Sequence, residues 1–235
     1  MGIHKVRKSV KALAPSLQYE KTLWQQGVKH IVGIDEVGKG AWAGPLTIVA
    51  AVIPRDKRIY KVRDSKLLIE AERESLYGRI GDWCKSWAAG HASNDECDEL
   101  GMSGAQKLAV QRAIEGLSIK ADHFLIDGKW DFVGHLVGVE NVTKVIKGDT
   151  KCLSIASASV LAKVTRDRIM RDSHTQFPQY KFEDNKGYPS PQHIQALKNF
   201  GPCVIHRKSW AFMDQLSSHG ISRLRRPSAQ GTLFS

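Results

Sequence analysis

Residues 30–45 read His-Ile-Val-Gly-Ile-Asp-Glu-Val-Gly-Lys-Gly-Ala-Trp-Ala-Gly-Pro, and this stretch decides the fold. Its first part is apolar and ends on Asp35, which predicts a strand. The glycines and the proline of residues 38–45 are typical of a turn. A second apolar run, residues 46–53, stops at Pro54 and predicts a buried strand. The stretch therefore predicts an antiparallel hairpin with a functional loop at its tip.

The rest of the chain mixes helical and strand patterns. We predict helices over residues 70–87, 103–117, 153–173 and 190–201, and strands over 123–127 and 139–146. This mixture indicates an α/β domain with helices on a central sheet. We expect three regions: a basic N-terminal arm or short helix over 1–28, one domain over 29–216, and a flexible basic tail over 217–235.

Composition narrows the class of protein. The chain has 235 residues, a formal net charge of +11 and a pI near 9.6. Such a charge favours a polyanionic partner, of which nucleic acid is the commonest, although a basic protein without such a partner has the same composition. The four cysteines form no C-x-x-C pair, so we expect no zinc site. With no apolar run long enough for a membrane, we expect a cytoplasmic monomer.

Three acids follow predicted strands. Asp35 and Asp127 end their strands, and Asp149 follows one within Lys-Gly-Asp. Ligand sites in open α/β sheets gather where strands end, so the three could converge. Converging carboxylates repel one another unless a cation neutralises them, and hard oxygen ligands suit Mg²⁺ or Mn²⁺. Taken singly, each acid is better explained as a structural turn residue than as a catalytic one.

The neighbouring acid Glu36 sets a geometric condition. Successive side chains of a strand point to opposite faces of the sheet. For Asp35 and Glu36 to share one site, the strand must therefore end at Asp35, and we expect it to do so.

Several motifs in order resemble one family. Residues 33–40, continued by Ala43-Gly-Pro45, closely resemble the first motif of ribonuclease HII, the type 2 ribonucleases H. Further segments resemble the later motifs of that family: Asp64-Ser-Lys66, Leu125-Ile-Asp-Gly128, Lys147-Gly-Asp149, residues 155–167, Lys186-Gly-Tyr188 with His193, and Gly201-Pro202 with residues 206–209. The resemblance covers residues 31–212.

The resemblance implies a ribonuclease H-like fold, a central mixed β-sheet flanked by helices, with a C-terminal helical part. It implies an endoribonuclease that cleaves RNA in RNA–DNA hybrids and incises 5′ of a single ribonucleotide in duplex DNA, leaving 3′-hydroxyl and 5′-phosphate ends. It implies a two-metal site for Mg²⁺ or Mn²⁺. By motif position, the metal ligands and catalytic residues would be Asp35, Glu36, Asp127 and Asp149.

The resemblance also assigns the substrate contacts. The segment Gly38-Lys39-Gly40 would meet the ribonucleotide 2′-hydroxyl through its backbone, and Tyr188 would stack near the ribonucleotide–deoxynucleotide junction. Phosphate-contacting positions match Ser65, Lys66, Ser159 and Lys163. Tyr188 has an alternative as a packing aromatic, and Lys163 has one as a solvated lysine.

The sequence departs from the family pattern at three places. Lys39 stands where the family usually has Arg, which preserves a backbone role but not a bidentate contact. Trp42 replaces a smaller aliphatic residue, so it either packs against the loop or touches nucleic acid. The continuation Tyr188-Pro-Ser190 differs from the common Gly-Thr form.

The C-terminal residues resemble a docking peptide. Gln230, Leu233 and Phe234 match the Gln-x-x-Leu-Phe pattern by which repair proteins bind bacterial sliding clamps, and a tail with two chance apolar residues is the alternative. Two other functions remain open: another ribonuclease H-like nuclease that acts on DNA, and a non-catalytic hybrid-binding protein. The second has no use for four converging acids.

Overall fold

The computed structural model describes residues 14–219 and 222–224, and a mixed five-stranded sheet lies at the centre of this part. The strands are β1 (Ile31–Val37), β2 (Leu46–Val52), β3 (Ser86–Ala92), β4 (His123–Asp127) and β5 (Val142–Val145). Their order is β3-β2-β1-β4-β5, with β1, β4 and β5 parallel and β2 antiparallel to both its neighbours. The predicted hairpin is thus confirmed as β1–β2.

Helices cover both faces of the sheet and form the C-terminal part. They are α1 (Gln18–Gln25), α2 (Glu70–Trp83), α3 (Asn94–Glu115), α4 (Gly134–Val137), α5 (Gly148–Lys151), α6 (Leu153–Gln176), α7 (Phe182–Asn185) and α8 (Pro191–Phe200). Short 3-10 helices span Ser65–Leu67, Val139–Asn141, Pro178–Tyr180 and Ala211–His219. No helix among the described residues is long and apolar enough to cross a membrane.

Two predicted helices have other bounds. The helix predicted over 70–87 ends at Trp83, and Trp87 belongs to β3. Trp87 has helical spacing in the sequence but lies on the strand, from which its ring packs edge-on against Tyr77 of α2. The helix predicted over 103–117 is the second part of α3, which follows a kink at Gly101 with a φ of +69°. The first part, which was not predicted, begins at Asn94, where Ser93 and Glu96 form a reciprocal capping box.

The expected end of the first strand at Asp35 is wrong. Pairing with β2 continues through Glu36, which faces Ile48, to Val37, which faces Thr47. The long antiparallel partner keeps the chain extended until Gly38, whose φ of +90° ends the strand. Asp35 and Glu36 therefore point to opposite faces of the sheet.

Each face of the sheet has its own buried cluster. Val32 and Ile34 point toward α3, with Ile48 and Ala50 of β2 beside them. The opposite face packs on α6 and α2, where Val49 and Ala51 lie in one cluster with residues of both helices. The same alternation places Asp35 on the α6 face and Glu36 on the α3 face.

Helix α6 approaches β1 so closely that only glycine fits at position 33. A Cβ on Gly33 would overlap the backbone carbonyl of Ser154. We predict that Gly33→Ala lowers the free energy of unfolding by about 3 kcal/mol, measured by urea denaturation. Gly78→Ala is the matched control, since Gly78 lies inside α2 with no neighbour within 4 Å of such a Cβ. It should stabilise by about 1 kcal/mol through helix propensity, and equal effects of the two changes would contradict this packing.

The C-terminal part packs behind the loop that joins β1 to β2. Ala43 of this loop lies in one buried cluster with Met170 of α6, Tyr180, Leu197 of α8 and Phe212. Ser190 caps α8 by accepting a hydrogen bond from the His193 amide at 3.1 Å, and Gly201 follows the helix, as predicted. The C-terminal part thus supports the loop from below.

Candidate active site

Three aspartates gather at one edge of the sheet. Asp35 lies near the end of β1, and Asp127 ends the parallel neighbour β4. The Asp127 Oδ1 accepts a hydrogen bond of 2.7 Å from the amide of Gly148, the first residue of α5. That bond ties Asp127 to the short helix that carries Asp149. The structure thus brings together three of the four predicted acids.

Electrostatic repulsion between these carboxylates contributes to their raised pKa values. Burial raises the pKa of Asp35 to about 8, with repulsion from Asp127 adding to the shift and a hydrogen bond from Ser159 opposing it. Burial also raises the pKa of Asp127, and Asp149 adds repulsion. A protonated carboxyl near neutral pH is the expected response when buried acids lack a compensating cation.

Lys66 supplies part of the missing positive charge. Its Nζ lies 3.4 Å from the Asp149 Oδ2, and three-quarters of its side chain remains exposed. Burial works against its charge, but attraction to Asp149, Asp35 and Asp64 raises the Lys66 pKa overall. Asp64 itself accepts a hydrogen bond from the Lys66 amide at 2.9 Å and so fixes the turn. An ammonium on a long, exposed stem can balance the acids and still reach a phosphate.

Glu36 contacts a different set of residues. Its Oε2 accepts a hydrogen bond of 2.6 Å from Gln106 Nε2 of α3, and its Oε1 lies 3.1 Å from Lys39 Nζ. Gln106 is buried, so it holds the Glu36 carboxylate firmly at the α3 side of the sheet edge. Gln106 was not predicted to lie at the site, because its partner Glu36 is 70 residues away in the sequence.

The donor chemistry of this edge fits a hard divalent cation. Three mutually repelling carboxylates, one of them with a pKa raised to about 8, lose their repulsion when a cation binds among them. Among residues 14–219 and 222–224, no three acid, histidine or cysteine side chains already stand at metal-ligand spacing. Binding therefore requires side-chain adjustment, which for Glu36 means breaking its contacts with Gln106 and Lys39.

The loop at residues 38–40 directly follows the strand that carries Asp35 and Glu36. Lys39 and Gly40 are exposed, while Gly38 is buried. The Gly38 amide donates a hydrogen bond of 3.0 Å to the Tyr188 hydroxyl. The structure thus joins Tyr188 to the loop, across 150 residues of sequence, and leaves its ring half-exposed next to it.

The predicted phosphate contacts differ in accessibility. Ser65 and Ser159 are buried, and their hydroxyl groups share a hydrogen bond of 2.8 Å. Lys163 donates to Asp167 at 2.6 Å, and burial lowers its pKa. Asp167 therefore forms an ion pair with Lys163. Of the four predicted positions, Lys66 alone is exposed.

Two departures from the family pattern have structural explanations. Trp42 stacks on Phe212, with ring centroids 4.5 Å apart, so it packs beneath the loop. The Lys39 carbonyl accepts a hydrogen bond of 3.1 Å from Arg207 Nη1, which anchors the backbone whatever side chain stands at position 39. The tail residues Gln230, Leu233 and Phe234 lie outside the described residues.

Two buried arginines were missed by the sequence analysis. Arg166 and Arg207 are fully buried, and both donate to carbonyls of the β1–β2 loop. Arg166 lies within the segment 155–167 and Arg207 within 206–209, two segments that carry the family resemblance, and this position was the available signal.

Comparison with known proteins identifies relatives over most of the chain. The sequence model of the family Ribonuclease HII matches residues 32–213. A Streptomyces coelicolor protein, "Ribonuclease HII", is 45% identical over 190 residues, which cover 81% of this chain and 80% of the relative.

Solved structures show the same fold. The ribonuclease H2 of Pyrococcus horikoshii superposes with a TM-score of 0.68 at 27% identity, covering 81% of this chain and 98% of that one. The ribonuclease HII of Archaeoglobus fulgidus, solved in a complex with PCNA, superposes with a TM-score of 0.66 at 25% identity, covering 79% and 96%. The predicted ribonuclease H-like fold is confirmed.

Proposed function

The chain belongs to the ribonuclease HII family and is a metal-dependent endoribonuclease acting on RNA–DNA hybrids, and from this membership we propose that it also incises duplex DNA 5′ of a single embedded ribonucleotide. Misincorporated ribonucleotides in genomic DNA would be its substrate. The enzyme would act as a monomer in the cytoplasm and leave 3′-hydroxyl and 5′-phosphate ends.

One observation carries this proposal: the aspartate cluster lies directly beside a loop in which Lys39 and Gly40 are exposed. Asp35 and Gly38 are three residues apart, and the Gly38 amide is hydrogen-bonded to Tyr188. The 2′-hydroxyl separates RNA from DNA, and the backbone of this exposed segment can contact it. A 2′-hydroxyl bound there would place the adjacent phosphate near Asp35.

We assign the metal site to all four acids. Asp35, Asp127 and Asp149 form its centre, and Glu36 completes it from the α3 side when its carboxylate leaves both Gln106 and Lys39. When bound, two Mg²⁺ or Mn²⁺ ions would activate water and stabilise the leaving oxygen.

The other residues hold and orient the substrate. The Lys66 ammonium contacts the phosphate beside the cut, since it is exposed and already lies among the acids. Ser65 and Ser159 link the segment that carries Lys66 to α6 through their hydrogen bond. Lys163 stabilises α6 through its contact with Asp167. The Tyr188 ring stacks at the ribonucleotide–deoxynucleotide junction.

A substrate comparison tests the proposal. We expect the protein to cut a duplex containing one ribonucleotide and to leave an all-DNA duplex of the same sequence intact. Cleavage of both would favour a DNA-directed ribonuclease H-like nuclease. Tight binding without cleavage in Mg²⁺ or Mn²⁺ would favour a hybrid-binding protein.

The raised pKa of Asp35 predicts how the metal-free stability depends on pH. The unfolded carboxyl ionises near pH 4 and the folded one near pH 8, so the folded state loses stability as pH rises through this window. At pH 9 without metal, Asp35→Asn should therefore have a higher Tm than wild type. Added Mn²⁺ should raise the Tm of wild type more than that of Asp35→Asn. Parallel Tm curves for the two proteins would contradict this assignment.

A clamp interaction through the tail is a separate proposal. The Archaeoglobus relative was solved with PCNA, and Gln230, Leu233 and Phe234 offer an amide and two apolar anchors. We expect removal of residues 230–235 to abolish binding to a bacterial sliding clamp, measured by surface plasmon resonance, and to leave hybrid cleavage unchanged. Undiminished clamp binding after the truncation would end the idea.

A further inference from the structure

Two fully buried arginines bind the substrate loop from below. The Arg166 guanidinium donates to the carbonyls of Ala43, Pro45 and Lys186 at 2.8–2.9 Å. The Arg207 guanidinium donates twice to Gly44 and once to Lys39, at 3.1–3.3 Å. Both side chains have no exposed surface.

The hydrogen bonds of both guanidinium groups go to main-chain carbonyls, while Asp167 attracts Arg166 and Asp98 attracts Arg207 electrostatically. Each nitrogen of Arg166 and Arg207 that donates does so to a main-chain oxygen of the described residues. Burial lowers the pKa of Arg166 to about 10, which leaves it charged at neutral pH. A buried charge is costly unless it is hydrogen-bonded, and here main-chain carbonyls of the loop accept from the guanidinium groups. The two arginines therefore tie the loop backbone to the interior of the protein.

The two arginines hold the 38–40 segment and Tyr188, which are the two parts of the molecule proposed to bind the ribonucleotide. Arg207 holds the Lys39 carbonyl in the middle of the 38–40 segment. Arg166 lies under the Tyr188 ring, 5.4 Å from its centroid, and fills the space beside Gly38. Tyr188 in turn accepts the Gly38 amide hydrogen bond. One arginine thus supports the loop, and the other supports both the loop and Tyr188.

We propose that Arg166 and Arg207 are positioning residues that set the preference for a ribonucleotide over a deoxynucleotide. This inference rests on the proposed function, because it concerns the reading of the same 2′-hydroxyl. The planar guanidinium fork directs donors at several carbonyls at once, which a lysine ammonium at the same place cannot do. Loss of the fork lets the loop and Tyr188 shift, so the contact with the 2′-hydroxyl is lost while phosphate contacts remain.

Binding in EDTA tests the inference without cleavage. Fluorescence anisotropy gives Kd for a labelled duplex with one ribonucleotide and for its all-DNA counterpart. We expect Arg166→Lys and Arg207→Lys to lower the ratio of these affinities about tenfold, as loss of one hydrogen bond would. All-DNA affinity should stay within about twofold, because it depends on phosphate contacts.

Two further variants separate positioning from general destabilisation. Arg112→Lys breaks a bidentate contact with Glu96 on the remote end of α3 and should keep the wild-type ratio. Tyr188→Phe keeps the ring but removes the acceptor of the Gly38 amide, and it should lower the ratio in a fully folded protein.

Each outcome decides between the alternatives. Wild-type ratios in both arginine variants, or equal losses of affinity for both duplexes, would overturn the inference alone. A wild-type protein without any preference for the ribonucleotide would overturn the proposed function, and the inference with it.

Discussion

Asp35→Asn is expected to lower the rate of hybrid cleavage by on the order of 10³-fold or more while the protein stays folded. Asp35 is the acid of the cluster whose pKa is raised to about 8, and within the cluster Asp127 repels it and Lys66 attracts it. An amide of the same shape cannot neutralise a cation and offers a single weaker oxygen ligand. The loss should appear in the rate constant for cleavage of a labelled hybrid, measured under single-turnover conditions at saturating Mg²⁺ or Mn²⁺.

Asp122→Asn provides the matched control. Asp122 precedes β4, at the end of that strand opposite to Asp127. There it accepts hydrogen bonds from the amides of Lys29 and His30. We expect this change to cost some stability and to leave the cleavage rate within about twofold of wild type. An Asp35→Asn protein that cleaved as well as Asp122→Asn would remove Asp35 from the site.

Gly38→Ala is expected to lower cleavage by about 100-fold, because the loop that reads the ribonucleotide cannot keep its shape. Gly38 has a φ of +90°, which side chains rarely adopt. A Cβ there would also overlap the Arg166 side chain and lie 2.7 Å from the Pro45 carbonyl oxygen. Relief of this overlap moves the loop, and a displacement of about 1 Å at a substrate contact can cost 100-fold in rate.

Gly40→Ala distinguishes protein strain from substrate contact. A Cβ on Gly40 meets nothing within 4 Å, so this change should leave the Tm unaltered, whereas Gly38→Ala should lower it. If the backbone at Gly40 approaches the ribose, cleavage by Gly40→Ala should still fall. Wild-type cleavage by Gly38→Ala would show that the loop shape is irrelevant to the reaction.

The sequence predicted the parts of the site that depend on local patterns. Asp35 and Asp127 each follow an apolar run, and parallel strands place such ends at the same edge. Asp149 follows β5 through the left-handed Lys147 and the first turn of α5. These positions needed no knowledge of tertiary contacts.

Long-range contacts decided the features that the sequence did not predict. The extension of β1 beyond Asp35 depends on continued pairing with β2, so the face on which Glu36 lies could not be predicted from its neighbours. Gln106 contacts Glu36 across 70 residues. Arg166 and Arg207 reach the loop across more than 120 residues, and neither has an acid nearby in the loop that would suggest a pair.

The position of the cut in a duplex with a single ribonucleotide tests the central claim most directly. We expect one incision, on the 5′ side of the ribonucleotide, in the presence of Mg²⁺ or Mn²⁺. The 3′ end of the upstream fragment should be extendable by a DNA polymerase, and the downstream fragment should carry a 5′-phosphate. Incision on the 3′ side, or an equal cut when that nucleotide is a deoxynucleotide, would contradict the account.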